Sequence, residues 1–142
     1  MESTDRAWAA GFLDGEGCFQ IRRGSSKQPT NYLALVEVGQ TDQRPLLRLQ
    51  HLFGGRIAIR KQATARWATA YYWIILGLNA ARMIEVVQPY LQLKNEQARV
   101  LLEFQATIPR RGHNPSIQPL ELERRAKFKE QLQSLNKKGP RS

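Results

Sequence analysis

The sequence has little of what a secreted or membrane-bound protein needs. It contains one cysteine, Cys18, so it can form neither an internal disulfide nor a cysteine-rich metal site. Its longest apolar run, residues 71–76, is too short to cross a bilayer. The first residues, Met1 to Asp5, lack the apolar stretch of a signal peptide. We therefore expect an intracellular protein, in a prokaryotic cytoplasm or an organelle, that is not secreted and has no membrane partner.

Acidic residues are also scarce through the middle of the chain. The 142 residues carry 22 Lys and Arg against 12 Asp and Glu, for a formal net charge of +10. Residues 1–16 are net −3, whereas residues 17–76 hold nine basic and two acidic side chains. A solvated basic surface is one explanation. The shortage of acids in the middle favours a polyanionic partner instead, with nucleic acid ahead of anionic lipid.

Hydrophobic periodicity predicts helices that alternate with β-hairpins. Asp42 is expected to cap the second helix and Asn79 the third, and Gly54 and Gly55 to end the second. The predicted elements are helix 4–15, strands 18–23 and 32–38, helix 42–53, strands 56–62 and 67–76, helices 79–88 and 91–105, and a charged helix 119–135. Both faces of the segment 67–76 are partly apolar, which leaves its register open.

This order predicts an α+β fold of αββαββα type. A curved antiparallel sheet would have helices on one face and leave the other face open. Residues 1–105 form the predicted core domain. Residues 106–142, a basic loop followed by a charged helix, form a predicted C-terminal helical extension.

Polar side chains recur at alternate positions of the predicted strands. Arginine and glutamine pair bidentately with guanine and adenine edges, and a two-stranded ribbon fits the major groove. The open face is therefore predicted to read duplex DNA. The candidate DNA-binding residues are Gln20, Arg22, Ser26, Glu37, Arg56, Arg60, Gln62 and Arg66.

A stripe of small residues marks the first helix, with Ala7, Gly11 and Gly15 at four-residue spacing. Such a stripe lets another backbone approach closely, although a helix that frays at Gly11 is an alternative. Glu16 follows at the helix C-terminus, where a carboxylate is unfavourable unless a cation neutralises it. A divalent metal bound by the Glu16 carboxylate and the Gly15 carbonyl would do so. An ordinary acidic residue at a helix-to-strand turn is the other interpretation.

Residues 9–19, Ala-Ala-Gly-Phe-Leu-Asp-Gly-Glu-Gly-Cys-Phe, resemble the LAGLIDADG motif of homing endonucleases. Ala9 stands for the usual leucine and Glu16 for the usual final aspartate. The similarity covers about residues 6–105, and the family's order of helices and hairpins is the one predicted above. It extends to the end of the second predicted strand at residues 38–42, the end of the second predicted helix at residues 53–57 and a Pro-aromatic-Leu segment at residues 89–97.

The resemblance implies a metal-dependent DNA endonuclease with three catalytic residues. Glu16 would bind the metal together with the Gly15 carbonyl, Gln40 would orient the attacking water, and Lys94 would stabilise charge or assist proton transfer. Asp14 matches an acid that is mainly structural in the family. The implied cofactor is Mg²⁺, with Mn²⁺ as an alternative. Ca²⁺ would bind without supporting efficient cleavage.

The motif occurs once, and family members with one copy are homodimers. The resemblance thus implies that two chains pack through Ala7, Gly11 and Gly15. The dimer would hydrolyse both strands of a long pseudo-palindromic site and leave 3′ overhangs. Two alternatives are an intron-RNA-binding maturase and a cleavage-inactive DNA-binding regulator. The presence of Glu16, Gln40 and Lys94 favours the endonuclease over the regulator, but it does not separate the endonuclease from the maturase.

Overall fold

The fold is an antiparallel sheet with helices against one face, as the sequence predicts. The computed structural model describes residues 1–24, 31–60, 69–109 and 118–137. The elements are α1 (Ser3–Glu16), β1 (Gly17–Arg23), β2 (Tyr32–Gln40), α2 (Arg44–Phe53), β3 (Arg56–Arg60), β4 (Ala70–Leu76), α3 (Gly77–Val87), a 3₁₀ turn (Gln88–Tyr90), α4 (Asn95–Ala106) and α5 (Pro119–Lys137). The order αββαββα is confirmed from α1 to α3, and two further helices, α4 and α5, follow it. In the described part of the chain, no helix is long and apolar enough to cross a membrane.

The four strands are arranged in the order β1-β2-β4-β3, and all neighbours are antiparallel. Strand β4 is therefore central, with Trp73 opposite Val38 on one side and Ile57 on the other. Trp73 is fully buried toward the helices, while its neighbour Ile74, on the opposite face, is also buried. Burial on both faces explains why alternation in the sequence could not set the register of this strand.

One hydrophobic core fills the space between the sheet and the helices. Its largest fully buried side chains include Leu13 of α1, Phe19 of β1, Trp73 of β4, Ile84 of α3 and Phe104 of α4. Burial of each such side chain contributes roughly 1.5–3 kcal/mol to folding. The core therefore fixes where α1 meets the sheet, which is also where the predicted metal-binding residues lie.

Helix α5 packs along the outer edge of β1 and against α4. Leu132 of α5 is buried in the same core as the other helices. The Asn136 side-chain amide donates a hydrogen bond of 2.9 Å to the Phe19 carbonyl. The charged C-terminal helix thus covers an edge strand that would otherwise present unpaired backbone groups.

Three predicted helix starts differ from the structure. Helix α3 begins at Gly77, whose φ of 58° favours glycine, so Asn79 lies within the helix and does not cap it. Helix α4 begins at Asn95 and not at residue 91, because a 3₁₀ turn and an extended Leu91 intervene. Helix α2 begins at Arg44, and Asp42 accepts a hydrogen bond of 3.0 Å from the Arg44 N–H without occupying the cap position.

Candidate metal centre and nucleic-acid interface

The Asp14 carboxylate binds the turn that precedes α4. It accepts hydrogen bonds from the backbone N–H groups of Gln92 at 2.7 Å, Leu93 at 3.0 Å and Lys94 at 3.0 Å. The residue is buried, with 8% of its surface exposed. A buried carboxylate with three backbone donors has a structural role, and it fixes the end of α1 to the start of α4.

The Lys94 side chain returns to the same helix end. Its ammonium donates hydrogen bonds to the backbone carbonyls of Asp14 at 2.6 Å and Leu13 at 3.2 Å. Burial lowers the pKa of Lys94 below its usual 10.5, while the charges of Asp14, Cys18 and Glu16 oppose the shift. A cation here also complements the negative end of the α1 dipole.

Glu16 is the last residue of α1, and both Glu16 and Gly15 are exposed. The carbonyls of Leu13 and Asp14 accept hydrogen bonds from the Gly17 N–H or from Lys94, whereas no described residue donates to the carbonyl of Gly15. A carboxylate and an adjacent open carbonyl are the hard oxygen donors that Mg²⁺ and Ca²⁺ prefer. The two predicted metal-binding groups therefore fit a divalent cation. Within the described ranges, no cluster of three His, Cys, Asp or Glu side chains could hold a metal.

Gln40 ends β2 at the same end of the sheet. Gly17, the residue after Glu16, lies opposite Val38, so Gln40 is two residues, about 7 Å, beyond that pair. Gln40 is half-buried. The structure thus brings Glu16, Gln40 and Lys94 to the junction of α1 and the sheet. Of these three side chains, only that of Lys94 donates hydrogen bonds to the end of α1.

The small-residue stripe of α1 faces outward. Ala7, Gly11 and Gly15 are exposed, and a Cβ atom added at either glycine would meet nothing within 4 Å. At Gly17, by contrast, a Cβ would lie 2.8 Å from the Leu13 carbonyl oxygen. The helix does not fray at Gly11, because it is continuous from Ser3 to Glu16. Nothing in the described part of the chain requires the bare surface at Gly11 and Gly15.

The strand registers place five of the predicted DNA-binding residues on the open face of the sheet. Direct cross-strand partners share a face, and Cys18 lies opposite Glu37, which in turn lies opposite Ile74. The residues on this face are Gln20, Arg22, Glu37, Arg56 and Arg60. The other three candidates, Ser26, Gln62 and Arg66, lie outside the described residues.

Two arginines of the open face flank one carboxylate. Arg22 and Arg60 each place a guanidinium nitrogen 3.7 Å from an oxygen of Glu37. The Arg60 guanidinium also lies over the ring of Tyr72, with Cζ 4.2 Å from the ring centroid. The sequence alone does not single out Tyr72, because it leaves the register of β4 unassigned and with it the face of the sheet on which this side chain lies.

Comparisons with known proteins match this chain to DNA endonucleases. The family model of the LAGLIDADG endonuclease matches residues 9–92. The DNA endonuclease I-CvuI of Chlorella vulgaris is 28% identical over 120 residues, which are 78% of this chain and 69% of that protein.

Solved structures share the fold over almost the whole chain. I-CvuI, in complex with its target in the presence of 2 mM Ca, has a TM-score of 0.77 and 24% identity, over 99% of this chain and 89% of that chain. The archaeal intron-encoded homing endonuclease I-Vdi141I, complexed with DNA, has a TM-score of 0.78 and 17% identity, over 100% and 90%. I-GzeII in complex with its DNA target has a TM-score of 0.66 and 18% identity. The match spans 92% of this chain but 44% of I-GzeII.

Proposed function

Because this chain belongs to the LAGLIDADG endonuclease family, we propose that it is a site-specific, metal-dependent DNA endonuclease that acts as a homodimer. It would hydrolyse both strands of a long pseudo-palindromic site and leave 3′ overhangs. The observation that carries the proposal is the attachment of α1 by Asp14 and Lys94. These contacts hold the exposed Glu16 at the end of the sheet that also carries Gln40.

The donor set at the end of α1 suits a hard divalent cation. The Glu16 carboxylate and the Gly15 carbonyl would hold Mg²⁺, with Mn²⁺ as an alternative. When bound, the metal would supply an activated water and stabilise the leaving oxygen of the scissile phosphate. I-CvuI was crystallised with its target in the presence of Ca and, in a second complex, with uncleaved DNA in the presence of Mg.

The protein side chains have separate tasks in this proposal. Gln40 would orient the attacking water. Lys94 has three N–H donors and uses two of them on α1, which leaves one for a phosphate oxygen or for charge that develops in the transition state. Asp14 would touch neither DNA nor metal, because its carboxylate is buried and accepts hydrogen bonds from three backbone N–H groups.

The exposed stripe on α1 supports a dimer. Among the described residues, one chain offers a single carboxylate and a single carbonyl to the metal, fewer than the six ligands that Mg²⁺ takes. Two chains packed through Ala7, Gly11 and Gly15 would place two Glu16 residues at the two-fold axis, where cations would offset their repulsion. The match to less than half of the I-GzeII chain is consistent with a unit that works in pairs.

The open face of the sheet would lie against the DNA. I-CvuI and I-Vdi141I are complexed with DNA, and this chain shares their fold. The face offers Arg and Gln side chains to base edges, and the net charge of +10 suits a polyanion. Each sheet of the dimer would cover one half-site.

The test is cleavage of a randomised duplex library in Mg²⁺, Mn²⁺, Ca²⁺ or EDTA, followed by sequencing of the ends. We expect double-strand breaks at one long pseudo-palindromic site in Mg²⁺ and none in EDTA. Glu16→Gln should abolish cleavage and retain selective binding, whereas Glu85→Gln, an exposed glutamate on α3, should cut normally. Cleavage by Glu16→Gln at the normal rate would contradict the metal assignment.

Absence of cleavage by the unaltered protein would have two interpretations. If it still binds one duplex selectively, the protein is a DNA-binding regulator. If it binds no duplex selectively, the maturase alternative becomes the next one to test, with intron RNA.

A further inference from the structure

Tyr72 lies across the backbone of a neighbouring strand. It is the direct partner of Gly39 in the pairing of β2 with β4, so both residues share the open face. A Cβ atom at Gly39 would lie 2.7 Å from the Tyr72 Cε1 atom and 3.2 Å from its Cδ1 atom. No side chain fits at residue 39 while the ring keeps this position. The glycine therefore provides the space in which the ring lies over β2.

The Tyr72 ring in turn supports an arginine from the third strand. Arg60 of β3 lies with its Cζ atom 4.2 Å from the centre of the ring, within the range of a cation–π contact. Its Nη2 atom also lies 3.7 Å from the Oε1 atom of Glu37. Glu37 is two residues before Gly39 on β2 and faces the same way. Residues of β2 and β4 thus both contact the guanidinium of a residue on β3.

These contacts restrain Arg60 without covering it. Its side chain remains 59% exposed, so N–H groups at its edge are accessible from solvent. A free arginine loses rotamer freedom when it binds a base edge, and one that is already oriented loses less. The other arginines of this face have fewer supports in the described part of the structure. Among the residues that the structure describes, Arg22 has the Glu37 ion pair but no aromatic partner, and Arg56 has neither.

We propose that Tyr72 and Glu37 are positioning residues that orient Arg60 to read one guanine in the major groove of each half-site. Arg60 would donate two hydrogen bonds to the O6 and N7 atoms of that guanine. The inference rests on the proposed function, because it requires the open face to contact duplex DNA. It adds that recognition of a single base pair depends on two residues that need not touch the base.

The chain contains a second group of the same composition, which serves as a control. Arg48 lies 4.1 Å from the centre of the Trp8 ring and 3.1 Å from a carboxylate oxygen of Asp5. This group joins α2 to α1 and is remote from the open face. Loss of Arg48 should therefore leave base recognition unchanged, although the arginine, aromatic ring and carboxylate are equivalent.

The experiment measures the base preference at every position of the bound DNA. The full-length protein and its variants select duplexes from a randomised library in Ca²⁺, and the bound DNA is sequenced. Arg60→Ala should lose the preference for guanine at one position per half-site by about 5- to 100-fold. Tyr72→Leu and Glu37→Gln should relax that same position to a smaller extent. Tyr72→Phe keeps the ring and should match the unaltered protein, as should Arg48→Ala.

A double variant tests whether Tyr72 acts through Arg60. If it does, Arg60→Ala combined with Tyr72→Leu should show the same base profile as Arg60→Ala alone. A purely structural role of Tyr72 would instead lower binding to all sequences equally. Should Tyr72→Leu fail to fold, Glu37→Gln alone and combined with Arg60→Ala gives the same comparison.

Several outcomes would overturn the inference. One is an unchanged profile for Arg60→Ala. Others are relaxation at different positions by Tyr72→Leu and Arg60→Ala, or additive effects in the double variant. If the unaltered protein selects no duplex at all, the proposed function fails, and this inference fails with it. Selection by the unaltered protein with no effect of Arg60→Ala would refute only the role of Arg60.

Discussion

Two hydrogen bonds join Lys94 to Asp14, and Lys94 is the donor in both. The Asp14 carboxylate accepts a hydrogen bond of 3.0 Å from the Lys94 backbone N–H, and the Lys94 ammonium donates one of 2.6 Å to the Asp14 carbonyl. The two residues are 80 positions apart in the chain. The pair closes the junction between α1 and α4. The exposed Glu16, two residues after Asp14, depends on it for its position.

Replacement of Asp14 by alanine should destabilise the fold. The substitution removes the acceptor of three backbone N–H groups in a buried place, and the expected loss in the free energy of unfolding is about 2–3 kcal/mol. Urea denaturation measures it. Asp42→Ala is the control, because Asp42 is exposed and pairs with an exposed arginine, so its removal should change stability little. Equal losses in the two variants would contradict the structural role of Asp14.

The stability of the protein should depend on the ionisation of Lys94 at alkaline pH. Burial lowers the pKa of Lys94 in the folded state below 10.5, the ordinary value that applies to the unfolded chain. At pH values between these two pKa values, Lys94 therefore binds its proton more readily in the unfolded chain than in the folded chain. The free energy of unfolding of the unaltered protein, relative to Lys94→Met, should therefore rise as the pH is raised through this window. Urea denaturation at a series of alkaline pH values tests the sign. A constant or falling difference would show that burial does not dominate the environment of this ammonium.

The sequence could predict local patterns, but it could not predict features that depend on contacts between distant parts of the chain. The helix stripe at Gly11 and the alternation of Gln20 and Arg22 are local patterns, and the structure has both. The start of α4 is not local. The N–H groups of residues 92–94 bind a carboxylate in α1 instead of beginning a helix. Nothing near residue 91 in the sequence indicates that acceptor.

The same limit applies to the surface that is proposed to read DNA. Arg60 could be assigned to a polar register from its own strand. Its support by Tyr72 could not, because that contact requires the register between β3 and β4. A signal existed in Gly39, since a glycine inside an otherwise regular strand often marks the close approach of another group. The sequence alone does not show which group approaches.

Gly11→Leu should separate the proposed dimer without harming the folded chain. A leucine side chain at this position projects into open space, and leucine is a better helix former than glycine, so the monomer should be at least as stable. In the dimer the same side chain would force the two α1 helices apart. Analytical ultracentrifugation should therefore show a monomer where the unaltered chain gives a dimer. A Gly11→Leu protein that remains a dimer would contradict an interface through the small-residue stripe.

Leu132→Ala should test whether α5 is part of the core. Leu132 is 1% exposed and packs in the central cluster, so its truncation should cost about 2–5 kcal/mol of stability. Leu120, at the start of the same helix, is 76% exposed, and Leu120→Ala should cost little. Thermal or urea unfolding compares the two. Similar small losses in both variants would mean that α5 is attached loosely to residues 1–105.

Because α5 covers β1, the sheet formed by the described residues has one uncovered edge, and that edge bears on solubility. Among the described strands, β3 has a partner on one side only. Open strand edges can recruit strands of other chains into aggregates, and short edges with charged side chains resist this. Strand β3 has five residues, with Arg56 and Arg60 at its two ends. Variants that carry apolar residues at these two positions, made to change the DNA sequence that is recognised, would therefore also lose this protection against edge-to-edge aggregation.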